Sequence, residues 1–255
     1  MTPRIVLVTG MSGLIGGAVR RHLGSTYSLR ALNRSAVPGV PCHQADIAHL
    51  EAIQPAFEGV DAVVHLAAKA SMDTPFEELL QANIVGTYNV FEAARRAGVK
   101  RVIYASSGAA TSGYEAELPY RAIVAGAGEE VGEWPRITHT SPLRPRGLYG
   151  ASKIWGEALA RLYADAHGLS ILCLRIGHVI REDRPLSPRD YSVWCSQRDI
   201  AQMIDLCLQA PETLRFDIFY ATSDNRWGYR DLTHATGVLG FRPQDAAEEH
   251  RRKGQ

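Results

Sequence analysis

The chain has 255 residues, 45% of them hydrophobic, which suffices for a full core and excludes intrinsic disorder. Its 28 Lys and Arg against 27 Asp and Glu leave a net charge of +1, with no long run of one sign, arguing against nucleic acid or an anionic membrane as the main partner. Four scattered cysteines make neither a disulfide scaffold nor a metal motif, and the apolar run before Gly10 is far shorter than a signal peptide or membrane span, so a reduced cytoplasm is the expected compartment.

In chain order, Ile5–Val8 forms a buried-strand pattern that ends at Thr9-Gly10, and residues 13–23 carry apolar side chains at helical spacing. A second strand is predicted over 27–32, a weaker third over 40–43, a short helix over 49–57 and a fourth strand over 61–68. A long helix over 76–97 precedes a strand at 101–106; a helix at 148–167 precedes a strand at 169–176. Strands alternating with helices imply right-handed βαβ crossovers and a parallel sheet. The expected fold class is therefore α/β, a Rossmann-type doubly wound sheet over residues 1–176, with a small C-terminal cap over 177–255 in the same structural unit. Residues 108–146, rich in Gly, Pro, Thr and Glu, are too long for an ordinary connection and are expected to form a lid or a disordered excursion. Within the cap, Ser196 with Asp199 three positions on opens a helix over 196–209, and a strand over 216–221 and a short helix near 231–238 follow.

The turn Thr9-Gly10-Met11-Ser12-Gly13-Leu14-Ile15-Gly16 sits between the first strand and the first helix. Gly10 permits the tight turn, Gly13 lets a pyrophosphate approach the backbone and Gly16 lets helix and strand pack closely, so Gly10 to Gly16, with Ser12, Leu14 and Ile15, are cofactor-site candidates. The spacing is weak alone and strong between a strand and a helix. An NAD site usually places Asp or Glu about 20 residues on; here no acid precedes Asp46, and the second strand runs into Asn33-Arg34. Asn33 suits a ribose hydroxyl and Arg34 a 2′-phosphate, so the cofactor is NAD(P), with NADP favoured over NAD. Asp46 and Ile47 suit an adenine edge, although Asp46 equally suits capping of the next helix. Leu66, Ala67 and Ala68 leave room for the cofactor to cross the sheet.

Tyr149 and Lys153 stand four residues apart on one helix face. A phenol serving as base near neutral pH needs its pKa lowered by about 3 units, a task an ammonium and an oxidised nicotinamide can share. Ser106 and Ser107, ending the fifth strand, offer a hydroxyl to the substrate oxygen. Trp155, Trp194, Trp227 and Tyr229 suit core or cap packing, His65 suits a hydrogen-bonded core position, and no histidine spacing supports zinc.

Thr9–Gly16, Asp46, His65–Ala68, Asn83–Thr87, Ser106-Ser107 and Tyr149–Lys153 together resemble an extended short-chain dehydrogenase/reductase of the NAD-dependent epimerase/dehydratase family. Residues 75–95, 147–153, 192–199 and 239–243 are similar, more narrowly, to uronate dehydrogenases and related sugar dehydrogenases. The resemblance implies that Tyr149 is the acid/base, that Lys153 lowers its pKa and holds the nicotinamide ribose, that Ser107 orients the substrate and that Asn83 holds the site together. It places Ile176 among the cofactor positions and Ser71, Gly108, His178 and Arg189 among the substrate positions, with Arg189 placed for a carboxylate. Gly108 replaces the Asn of those enzymes and His178 their Ser, so the sugar is left open among uronate, aldose and sugar phosphate. A homodimer through the two long helices is also implied. Two alternatives are a nucleotide-sugar epimerase or dehydratase, which would want a larger C-terminal region, and a non-catalytic NAD(P) sensor, which would have little use for Ser107, Tyr149 and Lys153 together.

Overall fold

Strands covered on both faces should read as mainly apolar runs, as the central ones here do, and seven strands form one parallel sheet in the computed structural model, which describes residues 4–251. They are β1 (Ile5–Thr9), β2 (Ser28–Asn33), β3 (Cys42–Gln44), β4 (Ala62–His65), β5 (Arg101–Ser107), β6 (Ser170–Ile176) and β7 (Phe216–Ala221). Their order is β3-β2-β1-β4-β5-β6-β7, every pair parallel. The helices are α1 (Leu14–Leu23), α2 (Leu50–Ile53), α3 (Phe76–Leu79), α4 (Gly86–Arg96), α5 (Tyr120–Val124), α6 (Gly128–Val131), α7 (Leu148–His167), α8 (Asp190–Val193), α9 (Gln197–Gln209) and α10 (Thr233–Leu239).

Alternation along each strand divides the core in two. Val6, Val8 and Leu172 face Val19 of α1 and Ile200, Met203 and Ile204 of α9. Leu7, Val63 and Cys173 face Ile53 of α2, Val90 and Phe91 of α4 and Tyr163 of α7. Chain direction across the sheet reverses at β1, which pairs with both β2 and β4, so their carboxyl ends open a crevice at the switch point. Among the described residues no helix is long and apolar enough to cross a membrane.

Four details differ from the sequence expectation. The third strand covers only Cys42–Gln44, which pair in register with Ala31–Asn33 of β2 at the sheet edge. The helix expected over 76–97 contains a π-helical turn, Leu80–Val85, between α3 and α4. The 108–146 stretch is packed rather than open: after a 3₁₀ segment, Gly108–Ala116, Tyr120, Ile123 and Ile137 join Val193, Tyr220, Trp227 and Tyr229 in a third apolar cluster. Finally, β7 and α9 lie within the sheet and its covering layer, so the division after residue 176 marks no change of layer. Ser196 does cap α9, its hydroxyl accepting from Asp199 N at 3.0 Å.

Candidate active site

The crevice holds a cavity of about 780 Å³. Its floor is the Gly-rich turn. Gly10 has φ of +69°, and a Cβ there would stand 2.8 Å from Ala67 N, so this position demands glycine. A Cβ on Gly16 would lie 2.5 Å from the Met11 backbone, which is the close helix approach expected of it. Gly13 is the N-cap of α1, with no side-chain capping bond and no acid in the first turn. The first N–H groups of α1 are therefore left to the crevice, where Gly10, Gly13, Leu14 and Ile15 line the cavity. Unpaired donors at the positive end of a helix fit the pyrophosphate of a dinucleotide. Leu66, Ala68 and Ile176 continue the wall.

Asn33 holds the turn from the side. Its Nδ2 donates to Ser12 Oγ at 3.0 Å, and Ser12 N donates to its Oδ1 at 3.4 Å. Arg34 is exposed beside it. Asp46 accepts from Ala48 N at 2.9 Å, a local cap, and Ile47 is buried beneath the π-helical turn, its carbonyl accepting from Asn89 Nδ2 at 2.8 Å. Ala67 N donates to Thr9 Oγ1 at 3.1 Å. Asn83, fully buried in the π-helical turn, bonds the Lys69 backbone on both sides and donates to Ser152 Oγ at 3.0 Å. Ser12, Gly16, Asn33, Arg34, Asp46, Ile47, Ala67 and Asn83 thus stand beside or beneath the cavity wall rather than on it. His65, between Thr9 Oγ1 and Thr87 Oγ1, is pushed down to about 3 by burial and by Lys153; it is a neutral core side chain.

Tyr149, Lys153 and Ser107 share one wall. Ser107 Oγ accepts from Ala109 N at 3.1 Å, which leaves its own O–H to donate toward Tyr149 or into the cavity. Lys153 is buried, donates to Ala105 O at 2.8 Å and lies 5.9 Å from the centre of the Tyr149 ring. Burial brings its pKa down to about 8, against the pull of Glu157. Burial raises the Tyr149 phenol and its contact with Ser107 lowers it, the first effect being larger. Without its cofactor the protein therefore holds Tyr149 as a neutral phenol.

The substrate side is strongly cationic. His178 lines the cavity and its Nδ1 lies 2.6 Å from Asp190 Oδ1. Burial pushes Asp190 up, but His178 and the Leu186 N–H hold it at about 2. Arg189 also lines the cavity, yet its fork is taken by Glu115, Nε to Oε2 at 2.8 Å and Nη2 to Oε1 at 2.7 Å. Burial pushes Glu115 up, and Arg189 brings it below the usual carboxylate range. Ser71 is exposed, its hydroxyl accepting from Asp73 N, and only its neighbours Ala70 and Met72 reach the cavity.

Sequence reasoning missed Glu115, Arg146 and Arg230, all of which line the cavity. No local pattern marks them, since each arrives from the excursion or from the C-terminal third. The Ser106–Glu157–Arg175 network beneath Lys153 was missed as well; a Glu one turn after Lys153 on the same helix face is the signal that was available. Away from the crevice, His139, Asp217 and His234 come within ligand distance of one another. The two rings stack at 3.7 Å and 14°, however, and His234 Nε2 bonds Asp217 Oδ1 at 2.8 Å. Parallel rings do not converge their lone pairs on one ion.

Comparison with known proteins agrees with this geometry. The model of the NAD dependent epimerase/dehydratase family matches residues 6–189. The chain is 33% identical to an NAD-dependent glucose-6-phosphate dehydrogenase of Haloferax volcanii, across 98% of this chain and 97% of that one. It is 36% identical to a uronate dehydrogenase of Agrobacterium fabrum, across 97% and 87%. The crystal structure of uronate dehydrogenase from Agrobacterium tumefaciens superposes with a TM-score of 0.82 at 34% identity, covering 99% of this chain and 88% of that one. With a Gly-rich turn, an uncapped helix and a Ser–Tyr–Lys wall around one crevice, and with that match over most of its length, the chain belongs to the NAD-dependent epimerase/dehydratase family.

Proposed function

We infer that the protein is an NAD(P)-dependent sugar dehydrogenase, oxidising a sugar hydroxyl with Tyr149 as the acid/base. The observation that carries this reading is the convergence of Ser107, Tyr149 and Lys153 on the cavity floored by Gly10 and Gly13. The dinucleotide, when bound, supplies the hydride acceptor and a positive charge. Ser107, its oxygen lone pair occupied by Ala109 N, donates its proton to the substrate oxygen and fixes the hydroxyl's orientation. Tyr149 removes the hydroxyl proton. Lys153, anchored on Ala105 O, has two further N–H donors for the crevice and stabilises the phenolate by its charge. Asn83, by tying Lys69 to Ser152, keeps α7 in register with the loop after β4.

Purified protein mixed with NAD⁺ or NADP⁺ and a panel of uronates, aldoses and sugar phosphates should accumulate reduced-nicotinamide absorbance. Interconversion of sugars without net reduction would make it an epimerase instead; silence across the panel, despite cofactor binding, would leave a sensor.

Within this reading NADP is the favoured cofactor, because β2 ends at Asn33 and Arg34 follows it, with no carboxylate to repel a 2′-phosphate. Replacing Arg34 with Ala should lower the ratio of NADP⁺ to NAD⁺ affinity by about tenfold, the worth of one charge-assisted contact. A ratio left unaltered would remove the argument. Three of the four cysteines are buried and none is paired, which suits the reducing cytoplasm. Tyr88 of α4 and Leu162 of α7 are exposed apolar side chains on the two long helices, and a homodimer through this face would cover them. Size-exclusion chromatography with light scattering should find a dimer that Tyr88→Glu with Leu162→Glu converts to monomer.

A further inference from the structure

Gly108 and Arg230 come from distant parts of the chain and are fitted to each other. A Cβ built on Gly108 would lie 2.3 Å from Arg230 Cζ and Nη2 and 2.5 Å from Nη1. The guanidinium therefore lies flat against a backbone that only glycine leaves bare. Arg230 is 4% exposed. Its only side-chain hydrogen bond among the described residues is a long one, Nη2 to Tyr229 Oη at 3.4 Å, and Nε has no partner. Its backbone is held in place, since Ile137 N donates to Tyr229 O at 2.7 Å and Asp231 N to Ile137 O at 2.9 Å. A desolvated guanidinium with idle donors costs stability unless something else satisfies it. This one lines the cavity, seated on the residue that follows Ser107.

The charges around it say what would satisfy it. Five ionised side chains line the cavity: Glu115, Arg146, Lys153, Arg189 and Arg230. Glu115 already occupies the fork of Arg189 and accepts from Tyr229 Oη at 2.6 Å, and Lys153 belongs to the catalytic wall. Arg230, which shares the single charge of Glu115 with Arg189 and makes no direct ion pair to it, and the exposed Arg146 at the rim leave an excess of positive charge. A carboxylate would neutralise one of them, whereas a phosphate monoester, with close to two negative charges near neutral pH, matches both.

We propose that Arg230, seated on Gly108, is the anion-binding residue of the substrate site and that the substrate is a phosphorylated sugar. Arg189, paired with Glu115, is then a wall that positions Tyr229 rather than the substrate's anchor. This rests on the dehydrogenase reading only for the word substrate; the anion seat stands or falls by itself.

The test uses the full-length protein saturated with NAD⁺, so that the pyrophosphate site is filled. Calorimetric titration with glucose 6-phosphate, glucuronate and glucose should show the phosphate ester binding tightest. Arg230→Met should weaken it by about 10- to 100-fold, as expected for a lost charged hydrogen bond, with NAD⁺ affinity kept as the sign of an intact fold. Gly108→Ala, which pushes the guanidinium off its seat without removing it, should do the same. Inorganic phosphate should raise the melting temperature of the wild type and not of Arg230→Met. Unchanged glucose 6-phosphate affinity in Arg230→Met would overturn the proposal. Tighter binding of glucuronate, lost in Arg189→Met, would also overturn it and return the anchor to Arg189. Should neither phosphate nor the ester bind while a neutral sugar is oxidised, the proposal fails and the dehydrogenase reading survives. An Arg230-dependent phosphate response in a protein that oxidises no sugar would do the reverse.

Discussion

Replacing Tyr149 with Phe should lower kcat by about 10²- to 10⁴-fold, the usual contribution of a positioned acid/base, while NAD(P) affinity stays within about twofold. The asymmetry follows from the geometry. Phe keeps the ring that packs 5.9 Å from Lys153 Nζ and removes only the oxygen, so the wall of the cavity is preserved and the proton acceptor is lost. At about 1.4 kcal/mol per factor of ten, the loss corresponds to roughly 3–6 kcal/mol of transition-state stabilisation. Burial raises the phenol pKa in the cofactor-free protein, and a base works only once deprotonated. Oxidation by the wild type should therefore climb with pH on its acid limb, and that limb should vanish in the variant's residual activity. Wild-type kcat in Tyr149→Phe, or a residual rate with the same pH rise, would mean another group takes the proton. Full activity would also undo the pairing of Ser107 with Tyr149 on one substrate oxygen.

The parts of this site that were legible in the sequence share one property: their chemistry is written in consecutive residues. Gly10, Gly13 and Gly16 are spaced by the needs of one turn, and Tyr149 and Lys153 by one helical turn, so local periodicity exposes both. The sheet was legible for a related reason, since β1, β4, β5 and β6 are covered on both faces and read as unbroken apolar runs. What stayed hidden was assembled across the chain. The resemblance put Gly108 among the substrate positions, but nothing local to it points to Arg230, more than a hundred residues later, which lies on it. Arg189 was expected to meet a substrate carboxylate because the family resemblance places an arginine there; Glu115, which takes its fork, belongs to a stretch whose Gly and Pro content suggested a lid or a disordered excursion. That stretch is ordered by Tyr120, Ile123 and Ile137 against Trp227 and Tyr229, contacts with no local periodicity to betray them. Likewise, the π-helical turn at Leu80–Val85 leaves the helical spacing of 76–97 almost intact while turning Asn83 toward Lys69 and Ser152.

Glu157→Gln should cost about 3–5 kcal/mol of stability, because it leaves Arg175 charged and buried without its counterion. For a chain of this size that is a fall in Tm of roughly 10 °C. The pair is 4% and 2% exposed at its two side chains. Arg175 donates from Nε to Oε1 at 2.9 Å and from Nη2 to Oε2 at 2.8 Å, and Ser106 Oγ donates to Oε1 at 2.5 Å. Replacing both partners, Glu157→Leu with Arg175→Met, should recover most of the loss, since two apolar side chains carry no desolvation penalty. The same carboxylate reaches the chemistry. It stands one helical turn from Lys153 and supports the ammonium, whose pKa burial has brought down to about 8. Removing the negative charge lowers that pKa further, so the ammonium that stabilises the Tyr149 phenolate is lost at a lower pH. The alkaline limb of the oxidation profile should accordingly move down in Glu157→Gln, while its acid limb, set by Tyr149, stays nearer its place. A Tm equal to the wild type would show that the pair is not the buried anchor its geometry describes. A lower Tm with an unmoved alkaline limb would separate the two roles, leaving Glu157 as a support for β6 that takes no part in tuning Lys153.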